Sequence, residues 1–496
     1  MGNIVSSGGG TKPPQIVPSD LVVPLHTYDD TPVNRAVIVE CLMQFDDAND
    51  KLEYHIPEYF DEKRPAVAYS HLRFDTEIAQ DPVGGQLPRL SGGRSVELAI
   101  PEDVASLIRR PNGPRTLDDY LYTDAPQLSL HIVSFMDATI VSLSWPHTLL
   151  DAMGRKALLD AWIAVLEGRD DDVLPLHGFD KDPLENLGSN AQESYILDPF
   201  RLSTFQIILF SLRYTWETLI RHRGEETRIF RIPAAYLRSL RDAALATLAS
   251  EAAINTTHDD DVGANLEKEP GPHSNKRNPL FLSEGDVLSA YIARLALHHL
   301  HPTHPDRLVV LMNALGMRSA LASGDDALLP ADRAYIGNAV AGAYAHVTVR
   351  ELCGRPLAHA ASRVRRAVVR QGTRAQIEAR AAIDRGAAAR GEVVAFGDVG
   401  MVPVVVSNWS KARFFDTDFS AAVVRTGAGG GGSEGAGETG RRLGRPVYIQ
   451  PSGFVRGLPI RNSFQIVGKD GRGDYWVAGT LRRGLWEGMR AWMEEE

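Results

Sequence analysis

Apolar positions along the chain fall into two periods, one near two residues and one near 3.6, and the periods alternate. Residues 33–45 (VNRAVIVECLMQF) read as a strand entering the core. Residues 128–145 read as a hairpin turned at Asp137-Ala138. Leu158, Leu159, Trp162, Ile163 and Leu166 then recur at helical spacing and stop near Gly168, so a helix over 152–166 follows a strand directly. Polar, Asp- and Pro-containing sequence from 168 to 200 separates this series from a second one that begins near Arg228. The second series predicts a helix over 284–299, a strand over 308–314, a segment over 335–349 and an Arg- and Ala-rich helix over 356–389. Strands follow near 402–407, 446–450, 463–467 and 475–480. The pattern predicts an α/β protein with an N-terminal half over 1–200, a crossover over 201–227 and a C-terminal half over 228–496. Residues 251–279, rich in Asp, Asn, Pro and Gly, and the Gly-rich residues 427–445 read as exposed insertions.

Length supports more than one domain, since 496 residues exceed one ordinary core. With 44% hydrophobic and 23% charged residues the chain has the balance of a compact globular protein. Its net charge of -10 repels a polyanion unless a local basic patch overcomes it, so nucleic acid is not an expected partner. Two cysteines far apart, Cys41 and Cys353, make neither a disulfide framework nor a thiolate zinc site, so a reducing, cytoplasmic setting is expected. No transmembrane segment is expected, because even the run Phe205 to Phe210 is soon interrupted by Arg213 and Glu217. The start, Met1-Gly2-Asn3-Ile4-Val5-Ser6, fits the loose myristoylation pattern and would give a weak lipid anchor at Gly2; it reads equally as a frayed terminus.

Several motifs match in form without the context their chemistry needs. Gly431 to Gly435 imitates a nucleophile elbow and Gly427 to Gly432 a dinucleotide fingerprint, but neither lies between a buried strand and a helix. Asp170 to Asp172 and Asp259 to Asp261 lack the turn glycine and distal glutamate of a calcium loop. His298, His299, His301 and His304 cluster at a helix end, where imidazoles serve the terminus as well as a metal. Arg363, Arg365, Arg366, Arg370, Arg374 and Arg380 form either a solvated face or a site for a phosphate-bearing cofactor. No metal is expected.

One position has the setting of a catalytic base. In 139–145, Val141, Leu143 and Trp145 share a side, Pro146 ends the ladder, and His147 follows in the turn before the helix. Imidazole exchanges protons near neutral pH and could do so here; a hydrogen-bonded turn histidine fits the same spacing. Asp151, four residues on, suits the N-cap of the helix.

The run Ser144-Trp145-Pro146-His147-Thr148-Leu149-Leu150-Asp151-Ala152-Met153-Gly154 resembles the HxxxD segment of the BAHD acyltransferases, the acyl-CoA-dependent family that includes trichothecene acetyltransferases. In the family's order follow Asn313 to Ser319 (NALGMRS), Tyr335-Ile336-Gly337-Asn338-Ala339, Ser407-Asn408-Trp409 and Asp418-Phe419, like its Arg-Ser strand, Y-x-G-N turn, S-x-W and DFGWG segments. The wording is most like that of fungal secondary-metabolism members.

The resemblance implies two chloramphenicol-acetyltransferase-like domains with mixed sheets and an interdomain active-site tunnel. It also implies that a monomer with no permanently bound cofactor moves an acyl group from acyl-CoA to a hydroxyl of a small secondary metabolite. His147 would be the general base, Asp151 a structural orienter paired with Arg318, and Trp409 the oxyanion donor. Ser407, Asn408 and Asp418 would support them. N-acyl transfer, condensation on a carrier-bound acyl group, or an impaired acyl-binding homologue are the alternatives.

Two departures stand out: after Asp418-Phe419 comes Ser420-Ala421-Ala422, and Phe45 to Asp50 runs straight into Lys51 to His55 where the family continues with a helix and a further strand. The N-terminal half thus reads as shortened after residue 50, which would strip cover from an apolar sheet face.

Overall fold

The computed structural model describes residues 17–35, 37–39, 52–88, 99–121, 123–221, 224–258, 281–324, 326–423, 444–451, 454–455 and 460–495. Gly2, Cys41, the shortened stretch after residue 50, Asp259 to Asp261 and Gly427 to Gly435 lie outside them, Lys51 included; Leu52 to His55 are described. Thirteen strands are described: β1 (Leu21–Pro24), β2 (Val37–Val39), β3 (Glu53–Ile56), β4 (Val67–Arg73), β5 (Leu128–Ser134), β6 (Thr139–Pro146), β7 (Glu225–Ile232), β8 (Leu308–Gly316), β9 (Val340–Thr348), β10 (Val402–Asn408), β11 (Phe454–Val455), β12 (Ser463–Lys469) and β13 (Tyr475–Arg482). They form a mixed five-stranded sheet, β11-β2-β6-β5-β4, a mixed six-stranded sheet, β7-β13-β12-β10-β8-β9, and the small pair β1-β3.

In the six-stranded sheet β8, β10 and β12 run parallel at the centre, and the flanking strands are antiparallel. Parallel strands are covered on both faces, and these are. Val309, Leu311, Val404, Val406, Phe464 and Ile466 pack under the helices Ala234–His258, Glu284–Leu297 and Leu357–Gln371 in one large core. On the opposite face Val310 and Met401 meet Leu202, Ile207 and Phe210, the last two from the helix Thr204–Thr215.

The five-stranded sheet is covered on one side. Register aligns Ser70 with His131 and His131 with Ser142, and this face is buried together with Val133 and Leu107. His131 Nδ1 is hydrogen-bonded there to Ser70 Oγ at 2.7 Å, while its Nε2 is buried without a partner. The opposite face aligns Tyr69, Leu130 and Leu143, and its Val67, Tyr69 and Val141 are exposed.

Several sequence expectations change. The strand over 33–45 is a helical turn, Pro32–Arg35, and the three residues of β2, beyond which the described residues stop. The long helix over 356–389 is two, Leu357–Gln371 and Arg374–Ala388, because Gly372 ends the first and Thr373 caps the second by accepting from the Gln376 N–H at 3.2 Å. No strand forms at 446–450: Pro446 has no N–H for a ladder, and Tyr448 packs edge-on against Trp476 with centroids 5.1 Å apart. Of the insertion at 251–279, the first residues extend the helix to His258. Of that at 427–445, Gly444 and Arg445 are packed: Phe419 N–H donates to the Gly444 carbonyl at 2.9 Å, and Arg445 Nε meets Asp418 at 3.1 Å.

Candidate active site

The ends of β6, β8 and β10 and the turn before β9 converge between the two sheets. His147 leaves β6 with its backbone N–H donating to the Val37 carbonyl at 2.6 Å, and the Trp145 indole N–H donates to the Leu150 carbonyl at 3.1 Å, closing the turn. Asp151 then starts the helix Ala152–Leu166: one carboxylate oxygen accepts from the N–H groups of Met153 at 2.9 Å and Gly154 at 2.8 Å. The same carboxylate is gripped by both terminal nitrogens of Arg318, at 2.8 and 3.0 Å, and accepts from the Ala339 N–H at 3.0 Å. Asp151 is buried, so its desolvation is offset by this fork and by the cap.

Arg318 follows β8 and spends its remaining donors on carbonyls of the 335–337 turn, Tyr335 at 3.1 and 3.3 Å and Gly337 at 2.6 Å. Asn338, next in that turn, donates through Nδ2 to the His147 carbonyl at 2.8 Å and to Asp29 at 2.8 Å. The histidine turn is thus held from the other half of the chain at two points.

The His147 ring is half-buried, with Nδ1 buried and without a hydrogen-bond partner. Burial depresses its pKa below the usual imidazole value, opposed by its own backbone carbonyl, Asp151 and Asn338, so the ring is neutral at pH 7. Trp409, at the end of β10, donates its indole N–H to Ser407 Oγ at 2.9 Å. Asn408 accepts from the Ser410 N–H at 3.0 Å and packs beside Gly285, away from the histidine turn. Asp418, whose carboxyl is held below the usual range by Ser420 and Arg445, stands on a segment whose Phe419 packs edge-on to Trp162 of the 152–166 helix, centroids 4.9 Å apart.

Three groups here were not singled out in the sequence. Arg155 is a buried guanidinium over the rings of Phe414 at 3.6 Å, Trp409 at 5.0 Å and Trp145 at 5.6 Å. Its Nε and Nη2 have no hydrogen-bond partner, and burial lowers its pKa to about 9. No local pattern marks it, since two of the three rings around it, Trp409 and Phe414, come from far along the chain. Asp29, from the loop after β1, accepts the Asn338 backbone N–H at 2.6 Å, and burial pushes its carboxyl up to about 7 against those hydrogen bonds. Tyr54, on β3, has its phenol pushed up by burial.

Asp29 and Tyr54 line a cavity of about 460 Å3 together with Leu149, Gly337 and Phe60. Its wall reaches Leu149, two residues past the histidine; His147 itself stands outside the lining. The volume suits a drug-sized small molecule, and the lining is largely apolar.

The other candidate motifs lie elsewhere. Asp170 to Asp172 form a short exposed helical turn, His298 stacks on Trp492, and Arg374 and Arg380 are spent on Glu378 and Asp384. Among the described residues no group of three or more His, Cys, Asp or Glu could hold a metal ion.

Two mixed sheets meeting at such a turn define a two-domain, chloramphenicol-acetyltransferase-like protein. Trichothecene acetyltransferase TRI101 of F. graminearum, in a structure with coenzyme A and T-2 mycotoxin, matches 95% of this chain and 92% of its own at a TM-score of 0.57 and 16% identity. A family model for the Transferase family matches residues 115–422, and the chain belongs to that family, the BAHD acyltransferases. Curated relatives include the acetyltransferase sphE of Aspergillus fumigatus, 34% identical over 97% of this chain and 96% of its own length. Another, described as transcriptional regulator calD of Penicillium decumbens, is 35% identical over 97% of this chain and 96% of its own. The chain is accordingly an acyltransferase by family.

Proposed function

We propose that the protein transfers an acyl group from acyl-CoA to a hydroxyl of a small, largely apolar metabolite, with His147 as general base. The observation that carries this is the Arg318–Asp151 fork, which fixes the turn bearing a half-buried, neutral imidazole where the two halves meet. With Nδ1 buried, Nε2 is the nitrogen left to meet substrate. It takes the proton of the acceptor hydroxyl as that oxygen bonds to the thioester carbonyl carbon. The carbon–sulfur bond then breaks, and the imidazolium returns the proton to the departing thiolate.

The carbonyl oxygen becomes an oxyanion, and Ser407 and Trp409 are the donors proposed for it. Because the indole N–H rests on Ser407 Oγ, the Ser407 hydroxyl keeps its own proton to give, with the indole polarising it from behind. The cavity bounded by Leu149, Tyr54 and Asp29 is proposed to hold the acceptor. TRI101 holds coenzyme A and a toxin together, which supports a donor side and an acceptor side in the shared fold.

Thiol release from a panel of acyl-CoAs with hydroxylated terpenoid and polyketide acceptors, compared between wild type and His147→Ala, tests the proposal. Loss of about 10²–10⁴ in kcat with unchanged folding is expected; equal rates in the two proteins would sink it.

A further inference from the structure

The helix Thr204–Thr215, continued by the wide turn Trp216–Arg221, is apolar on both of its long sides. Its inner side is accounted for. Ile207 and Phe210 pack on Val310 and Met401, and Arg213 donates to the carbonyls of Val399 at 2.7 Å and Met401 at 2.6 Å. The outer side carries Phe205, Ile208, Leu209, Leu212, Trp216, Leu219 and Ile220, every one exposed, with Phe205 at 67%, Leu212 at 64% and Trp216 at 56%. Their spacing of three and four residues makes one continuous stripe. Taking about 200 Å2 for a whole large side chain, it leaves roughly 700 Å2 of apolar surface in water. Monomeric proteins carry largest patches of roughly 300–600 Å2. A helix apolar all round is ordinarily covered all round.

The charges around the stripe indicate what covers it. From Phe205 to Ile220 the exposed positions hold no charged side chain; the polar ones are Gln206 and Ser211. At the C-terminal end basic residues gather: Arg221 is exposed and close enough to Arg482 to help depress the latter's pKa, after burial and Arg461, and Arg483, next in sequence to Arg482, has a side chain 70% exposed. Arg483 is tied to the start of β7, three residues past Arg221, by its backbone N–H, which donates to the Gly224 carbonyl at 3.0 Å. The acids of that corner are committed, Glu225 to Arg461 at 2.7 Å and Glu226 to Arg228 at 3.5 Å and Arg483 at 3.6 Å. An apolar stripe that carries a tryptophan and ends in arginines has the chemistry of a helix lying in the headgroup boundary of an anionic bilayer.

We propose that this helix is a membrane-docking surface, by which the protein lies on an anionic lipid bilayer with Phe205, Leu212 and Trp216 in the acyl boundary and Arg221 and Arg483 at the phosphates. No helix of the described residues is long and apolar enough to cross a membrane; the docking is one-sided, and it is independent of the acyl-transfer reading.

Vesicle flotation tests it, using the full chain produced in bacteria so that no N-terminal acyl group contributes. With vesicles of phosphatidylcholine and phosphatidylserine, wild type is expected to float, and Leu212→Glu with Trp216→Glu to lower the bound fraction at least tenfold. Arg221→Glu with Arg483→Glu is expected to abolish the preference over pure phosphatidylcholine, as is raised salt. These side chains are exposed, so circular dichroism should show every variant folded. Wild type that stays unbound, or binding unchanged in Leu212→Glu with Trp216→Glu, overturns the proposal. So does a homodimer in light scattering that the same variant splits while vesicles capture neither form.

Discussion

Gly154 lies so close to the Ile336 carbonyl that a β-carbon there would stand 1.9 Å from the oxygen. The contact joins the helix behind the histidine turn to the turn that supplies Asn338, and backbone on both sides leaves no flexible atom to yield. Gly154→Ala is expected to destabilise the protein by about 2–4 kcal/mol, as overpacking against a fixed group does. Urea unfolding measures the loss; a change under 0.5 kcal/mol would show that the helix slides freely.

Arg318 offers its fork to Asp151 and its edges to three carbonyl bonds, a geometry lysine cannot copy. Arg318→Lys is expected to lower kcat tenfold or more with KM changed less than threefold, since the histidine turn is loosened while the cavity wall stays. Asp151→Ala, which strands the guanidinium and removes the cap, is expected to cost about 3–5 kcal/mol. Steady-state kinetics and thermal melts, run on both variants, separate the two effects.

His147 has a folded pKa below its usual value near 6.5. The neutral, base-competent ring therefore persists below pH 6.5, and kcat/KM is expected to stay level down to that pH and fall only as the medium passes through the depressed value. Folding meets the same shift with this sign: the unfolded ring takes a proton below pH 6.5 before the folded one does, so stability declines as pH drops there. A kcat/KM profile with its acid limb above pH 6.5 would contradict the burial of this ring.

Asp29 behaves oppositely. Its carboxyl titrates at about 7 in the fold against 3.8 unfolded, so the folded state holds the proton longer and stability falls as pH rises from about 4 through 7. Asp29→Asn removes that dependence and keeps an acceptor for Asn338. The variant is expected to gain on wild type by on the order of 3 kcal/mol between pH 4.5 and 8, read from paired denaturation curves; a constant difference across that range would mean Asp29 ionises normally.

Much of this architecture was legible in the chain because local patterns and tertiary burial agree. The hairpin of β5 and β6, the helix after Asp151 and the strands around Asn313 and Ser407 read directly from period and punctuation. Tyr448 shows the limit: its β-like neighbourhood serves as packing for Trp476, a contact no local window contains. His131 shows another, since alternation favours the Leu130 face as core, whereas the covered face is the one bearing His131, Ser129 and Ser142. Within the site, His147, Asp151, Arg318 and Trp409 could be named from spacing and resemblance. Asp29 and Arg155 could not be, because an aspartate near 7 and a guanidinium among three rings are products of burial that arises only when distant segments meet.

β11, two residues from far along the chain, pairs with β2 and thereby forms the outer border of the sheet that carries His147. The two lobes are consequently buckled rather than merely adjacent. A gene cut at the crossover would yield an amino-terminal fragment with a raw hydrogen-bonding rim, prone to stick to its own copies, and co-expression of both fragments, not mixing after purification, would be the route to reassembly.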